Sequence, residues 1–276
     1  MPDADPTRTE RPANGAANDA DLALLVDAVS AAGALAVEHF NAGREGWLKD
    51  DRTPVSEADL AVDAFLKDRL FAMRPDYGWI SEESPAIAAG STDRATRAFI
   101  VDPIDGTRAF LNARDTWTVC VGVLEDGVPV AGVVFNPVRQ ELYASVLGGG
   151  AWLNGRHIAV SQTRALEGAT LAGGEGVYKA AAAIGALHPP VIFTGATSMA
   201  YRLCLVAEGA CDATVALSRK SPWDLAPGML ILHEAGGRSG DRKGGALDLW
   251  DGPVIPTVVG ANPQLFDPLI AILKTG

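Results

Sequence analysis

The chain has 276 residues, 48% of them hydrophobic, enough to bury a large core in one compact unit or two closely joined lobes. A formal net charge of −11 speaks against a nucleic-acid polymer as partner, because phosphate backbones are bound by clustered Lys and Arg. A small phosphate ester stays admissible, since bound cations reverse the local charge. Cys120, Cys204 and Cys211 sit in apolar surroundings and, being three, cannot all pair internally, so they read as reduced core thiols. No apolar run reaches membrane-spanning length and the N-terminus lacks an apolar signal core, which predicts a cytoplasmic protein with no membrane partner.

Residues 1–20 are poor in large apolar side chains and read as a disordered tail. Leu22, Leu25, Val26, Val29, Val37 and Phe40 then recur at helical spacing, predicting a first helix over 21–40. Ser56 is placed to cap a second helix, with Leu60, Ala64, Phe65 and Phe71 as its apolar stripe, ending before Pro75. Ala98 to Val101 is a strand. From Trp117 to Val146, Val-rich runs broken at Glu125-Asp126-Gly127 and Asn136-Pro137 predict an antiparallel meander. Gly148-Gly149-Gly150 is a plain turn, because no Lys-Ser/Thr follows to make it a nucleotide loop. Beyond Asn154-Gly155, strands are predicted over 169–172, 191–194, 214–217 and 257–260, and helices over 198–208, 223–235 and 263–273. This alternation implies layered α/β packing. It divides the chain into an N-terminal lobe, 21–150, and a C-terminal lobe, 151–276.

Three segments carry the chemistry. Val101-Asp102-Pro103-Ile104-Asp105-Gly106-Thr107 follows a strand and holds two carboxylates on a turn stiffened by Pro103 and sharpened by Gly106. Paired carboxylates suit hard divalent cations, and backbone N–H groups at Gly106 and Thr107 suit an anion. Asp-Pro and Asp-Gly are also ordinary turn signals. The second segment, Tyr77 to Ser84, ends a strand in Glu82-Glu83. Side chains alternate on a strand, so at most one of this pair points directly at a given metal; the other acts from behind it or is solvated. The third, Ser221-Pro222-Trp223-Asp224-Leu225-Ala226-Pro227, opens a helix that closes at Glu234-Ala235-Gly236-Gly237. Alone, Asp224 is a helix cap as readily as a ligand.

Taken in order, these segments resemble the inositol monophosphatase family of magnesium-dependent, lithium-sensitive phosphatases. Its pattern runs Glu-Glu, Asp-Pro-Ile-Asp-Gly-Thr, Trp-Asp-x-Ala and Glu-Ala-Gly-Gly. Thr53-Pro54-Val55-Ser56-Glu57-Ala58-Asp59 is similar to a fourth family element, and the likeness extends from about Asp21 to the C-terminus. The resemblance implies a two-lobed α/β/α/β/α sandwich with the site between lobes, a homodimer, and two or three Mg2+ ions. Carried over by position, it assigns Glu82, Asp102 and the Ile104 carbonyl to a first ion and Asp102, Asp105 and Asp224 to a second. Asp59, Glu82 and Thr107 become the catalytic set, Asp59 and Thr107 orienting and deprotonating water. Gly106 and Thr107 amides hold phosphate oxygens, beside Asp105 and Asp224. Glu83 and Lys49 stand behind the ligands, Lys49 otherwise being solvated.

Substrate choice is read from departures. Inositol-directed relatives carry a glutamate shortly before Trp-Asp, whereas 214–223 contains no acid and holds Arg219 and Lys220. That pair either receives a second phosphate or carboxylate through charge-assisted bonds, or is a solvated loop pair. Arg108 is similar to relatives acting on nucleotides or histidinol phosphate. Arg202 is expected at the surface, with a phosphate contact as the alternative; Tyr201 and Trp223 line the pocket or lie in the core. Pro227 departs from the usual small residue and is tolerated in a first turn. The expected activity is hydrolysis of a small phosphate ester, a 3′(2′),5′-bisphosphate nucleotide or an inositol monophosphate. The alternatives are histidinol phosphate as substrate and a non-catalytic regulatory member of the same fold.

Overall fold

The computed structural model describes residues 14–50, 53–84, 96–173, 192–193, 195–249 and 254–275. Apolar faces at two periodicities set its architecture. The outermost layer is a helix pair, α1 (Gly15–Ala42) and α2 (Glu57–Met73), linked by a small antiparallel hairpin of β1 (Gly46–Leu48) and β2 (Pro54–Ser56). Helix α1 buries Leu25, Ala28, Val29, Ala32 and Ala36; its Gly33 lies so close to the sheet that a Cβ would fall 2.5 Å from the Phe135 ring. Small residues on that stripe let helix and sheet approach closely.

Beneath the pair lies a seven-stranded sheet of β3 (Gly78–Ser81), β4 (Arg97–Asp105), β5 (Thr118–Glu125), β6 (Val128–Asn136), β7 (Glu141–Val146), β8 (Ala151–Leu153) and β9 (Arg156–Ile158), in that spatial order. β3 runs parallel to β4 and the remaining neighbours are antiparallel. A short helix, α3 (Thr107–Leu111), follows β4. β5 is buried from Thr118 to Leu124, because helices cover both its faces. The expected turn after β5 has Asp126 at φ 49° and Gly127 at φ 85°, the left-handed pair a tight two-residue hairpin needs.

The other face carries α4 (Met199–Ala207) and α5 (Ala226–Glu234), which in turn support a second sheet in the order β11-β10-β12-β14-β13. Its strands are β10 (Thr170–Ala172), β11 (Ile192–Phe193), β12 (Ala213–Ala216), β13 (Arg238–Gly240) and β14 (Val258–Ala261). Helix α6 (Pro263–Thr275) closes the stack, giving the expected α/β/α/β/α order. Pro227 sits in the first turn of α5 and packs on two sheet glycines; a Cβ at Gly132 would stand 3.0 Å from its Cα.

Several expectations need correction. Residues 15–20 belong to α1 rather than to a tail, because Asn18 and Asp21 are buried where Arg97 bonds both; residues 1–13 lie outside the described residues. Helix α1 is 28 residues long with mean hydropathy 1.8 over its best window, so a run of spanning length does exist; its apolar stripe is spent on the sheet. On α2 the inward stripe is Ala58, Val62, Leu66 and Leu70, while Leu60 and Ala64 are exposed. Asn154-Gly155 is a hairpin turn inside the first sheet, which runs on to Ile158, so a boundary at 150 would cut through that sheet. Of the strand expected over 191–194, Val191 and Thr194 lie outside the described residues.

Candidate active site

A single extra residue builds the centre of the site. Asp102 pairs with Cys120 and Asp105 with Thr118, so β4 advances by three residues while β5 advances by two. Positions of odd separation normally face opposite sides of a sheet; the bulge at Pro103-Ile104 cancels that and turns both acids toward α4. Pro103 lacks an N–H and loses nothing where the ladder is broken. Gly106 then adopts φ 96°, and a Cβ there would lie 3.3 Å from both Ser198 Cβ and the Thr116 carbonyl oxygen, so both conformation and space demand glycine.

Two acids arrive by one local device. Ser56 and Ser221 each open a helical turn, and the third residue on, Asp59 or Asp224, reaches back to the serine N–H at 2.8 and 2.6 Å respectively. One geometry therefore caps each turn and brings its acid into the site, so Asp224 is a helix cap that also stands among the other acids. Carboxylate oxygens of Asp102, Asp105 and Asp224 all lie within 4.8 Å of one another. Ser198, the cap of α4, donates to Asp105 Oδ2 at 2.6 Å, and the Ala200 N–H donates to the same oxygen at 2.7 Å. Buried Asp102 Oδ1 has no hydrogen-bond partner among the described residues.

The Glu82-Glu83 turn flanks this triad, Glu82 following the β3 residue that pairs with Val101. Lys49 reaches both glutamates, Glu83 at 2.6 Å and Glu82 at 3.3 Å. Both side chains reach one lysine because the strand has ended at Ser81 and the bend no longer holds them on opposite faces. Asp59 is fully buried; Thr107 Oγ1 lies 3.4 Å from its Oδ1 and 3.2 Å from the Ile104 carbonyl oxygen. Lys49, Asp59, Glu82, Glu83, Asp102, Ile104, Asp105, Gly106, Thr107 and Asp224 thus assemble in one place. Lys220 also faces it, its charge acting on Asp105 and Asp224, whereas Arg219 and Arg108 are exposed.

Arg202 corrects the sequence reading. It is 8% exposed, its Nη2 donates to the Thr197 carbonyl at 3.0 Å, and its buried Nε has no partner among the described residues. All nine residues of α4 are buried between the two sheets, so that helix has no solvent face for an arginine to occupy. Tyr201 is likewise core, at 1% exposure, and Trp223 packs half-buried on the central cluster. Ser198, which links Asp105 to Thr118 at 3.0 Å, was not singled out; its cap position ahead of a helix was the available signal.

Electrostatics follow from burial. Desolvation, then repulsion from Asp105, lifts Asp224 to about 6. Desolvation opposed by Ser56 leaves Asp59 at about 6. Desolvation opposed by Lys49 puts Glu82 at about 7. Asp102, buried and facing Glu82, Asp105 and Asp224, is pushed well above the carboxylate range. Buried like charges of this density need a cation, and all-oxygen donors fit a hard one.

Comparison with known proteins agrees with this geometry. The family model described as the inositol monophosphatase family matches residues 18–274. Inositol-1-monophosphatase of Rhizobium meliloti (strain 1021) is 33% identical over 87% of this chain and 92% of its own length. Histidinol-phosphatase of Mycobacterium tuberculosis (strain ATCC 25618 / H37Rv) is 34% identical over 83% and 87%. The 3′(2′),5′-bisphosphate nucleotidase CysQ of Aggregatibacter actinomycetemcomitans is 31% identical over 69% and 72%. Among solved structures, extragenic suppressor protein suhB from Bartonella henselae superposes with a TM-score of 0.82 at 30% identity, covering 93% of this chain and 99% of that one. The match spans both sheets and every acid of the site, and the chain belongs to the inositol monophosphatase family.

Proposed function

We propose that the chain is a Mg2+-dependent phosphomonoesterase that hydrolyses a small soluble phosphate ester. One observation carries the reading: three aspartates, Asp102 and Asp105 buried and Asp224 half-buried, have oxygens within 4.8 Å of one another, and one of these acids, Asp102, has an Oδ1 without a hydrogen-bond partner among the described residues. Glu82, Asp102 and the Ile104 carbonyl would hold a first ion, and Asp102, Asp105 and Asp224 a second, in keeping with the two or three that the family resemblance implies. When bound, the ions supply Lewis acidity to the phosphate and lower the pKa of an attacking water. Asp59, raised to about 6, is poised to accept that water's proton through Thr107 near neutral pH. Glu82 orients the same water, and the Gly106 and Thr107 amides donate to phosphate oxygens. Lys220 is the cation set to meet a further anionic group of the substrate, and the charge of buried Arg202 also acts on Asp105 and Asp224.

The absence of an acid over 214–223 favours a 3′(2′),5′-bisphosphate nucleotide over an inositol monophosphate, with histidinol phosphate third. A non-catalytic role is disfavoured by the same acids, which repel one another and serve nothing without a cation. Sensitivity to lithium, a homodimer and a cytoplasmic location complete the reading. The test is phosphate release from adenosine 3′,5′-bisphosphate, inositol 1-phosphate, histidinol phosphate and fructose 1,6-bisphosphate, with and without Mg2+ and Li+. A Mg2+-dependent, Li+-sensitive preference for one supports the reading. No Mg2+-dependent release from any of the four overturns it, and Asp105→Asn retaining full activity overturns the ligand assignment.

A further inference from the structure

Asp63 stands one helical turn after Asp59 on α2, so both carboxylates leave the helix on the same face. The reaction has no use for Asp63, yet it is only 6% exposed. Each of its oxygens takes a serine hydroxyl: Oδ1 accepts from Ser81 in a short bond, and Oδ2 accepts from Ser84 at 3.0 Å. Ser81 is the last residue of β3 and 1% exposed; its Oγ also accepts the Glu83 N–H at 3.3 Å. Between the two serines lies the turn that carries Glu82, whose own N–H donates to the Val101 carbonyl at 3.2 Å. One carboxylate on a helix therefore grips both ends of the turn, while the adjacent strand holds its middle.

We propose that Asp63 is a positioning residue for the cation site, holding the Ser81–Ser84 turn in the form that presents Glu82 beside Asp102. The proposal rests on Glu82 being a ligand. Lys49 is the competing influence, since it pulls both glutamates toward itself. With the clamp in place the turn is ordered before an ion arrives; without it, ordering is charged against ion binding. The loss then appears as weaker cation affinity, with the chemical step intact once the site is filled. Groups that hold metal ligands in this way are typically worth roughly 10- to 100-fold in affinity.

The test titrates Mg2+ calorimetrically into the full-length protein without substrate, comparing wild type, Asp63→Asn and Ser84→Ala. Asparagine keeps the shape and one acceptor oxygen. Asp63→Asn is expected to raise the Mg2+ Kd about tenfold, to raise the half-activating Mg2+ concentration by the same factor, and to leave kcat at saturating Mg2+ within about twofold. Ser84→Ala should reproduce part of the effect and add nothing in the double variant. An unchanged Kd in folded Asp63→Asn overturns the proposal even if its Tm falls, since a purely structural acid would do only that. Should Asp63→Asn fail to fold, unchanged Kd values in both Ser81→Ala and Ser84→Ala overturn it instead. A wild type that binds Mg2+ but releases no phosphate refutes the phosphatase reading while leaving this comparison intact. A wild type that binds no Mg2+ refutes both.

Discussion

Replacing Asp224 with asparagine should make the metal-free protein more stable and the protein useless to a cation. Burial and Asp105 together move the Asp224 carboxyl from 3.8 to about 6. At pH 7.5 the group is ionised in both folded and unfolded chains, and that displacement costs the folded state about 3 kcal/mol at 1.36 kcal/mol per pH unit. Asparagine removes the charge and keeps an acceptor for the Ser221 N–H now held at 2.6 Å, though a neutral acceptor is weaker by about 1 kcal/mol. The net gain is about 2 kcal/mol, or about 4–8 °C in Tm for a chain of this size. The assay is thermal unfolding at pH 7.5 in EDTA and in saturating Mg2+. Wild type should gain stability from Mg2+, about 2.7 kcal/mol at a hundredfold excess over Kd, whereas Asp224→Asn should gain little and turn over no phosphate ester. If the variant is destabilised in EDTA, or keeps the full Mg2+-induced rise, the triad is not the strained cation site inferred from its geometry.

The same acids set a pH dependence. Asp59 and Asp224 at about 6 and Glu82 at about 7 bind protons in the native state that the unfolded chain has already released, so metal-free stability should fall as pH rises from about 4 to about 7. Urea unfolding in EDTA checks this, and a stability that rises across that window contradicts it. Gly106→Ala forces a Cβ into a left-handed position 3.3 Å from Ser198 and Thr116 atoms, which should cost about 1–3 kcal/mol and most of the activity; a variant with wild-type Tm and turnover would show the turn to be relaxed. Lys220→Ala should raise KM about tenfold for bisphosphorylated substrates alone, on the scale of one lost charge-assisted bond. Exposed Arg219→Ala should leave KM unchanged. An equal rise for every substrate would place Lys220 on the reacting phosphate instead.

Much of the site was legible because its chemistry leaves few alternatives. A Pro-Ile pair between two aspartates, closed by Gly-Thr, marks both the paired acids and the sharp turn. The Ser-x-x-Asp spacing at 56–59 and 221–224 marks helix starts, although it hides the second duty of each acid. What escaped was set by tertiary packing. Leu60 looked like core from its size, but α2 turns its smaller Ala58 and Val62 inward together with Asp59 and Asp63, and buried acids break the apolar period on which such readings depend. Arg202 looked like surface because arginine rarely lies inside, yet α4 is roofed by a sheet on either side. Asn154-Gly155 was a clear turn signal whose strands, three residues each, were too short to announce themselves.

The bulge at Pro103-Ile104 has a consequence for how this segment can change. Exchanging a side chain there alters the site by degrees, through volume, charge or turn preference. Removing a single residue acts differently: every acid remains in the chain and strict alternation returns with the two aspartates still on one face, but the bulge and the break in the ladder that it makes are lost. Removing two leaves the aspartates adjacent, and alternation then sends them to opposite sides of the sheet. Tolerance in this stretch is therefore a matter of odd and even, and its length is a stricter requirement than the identity of the residues that fill it.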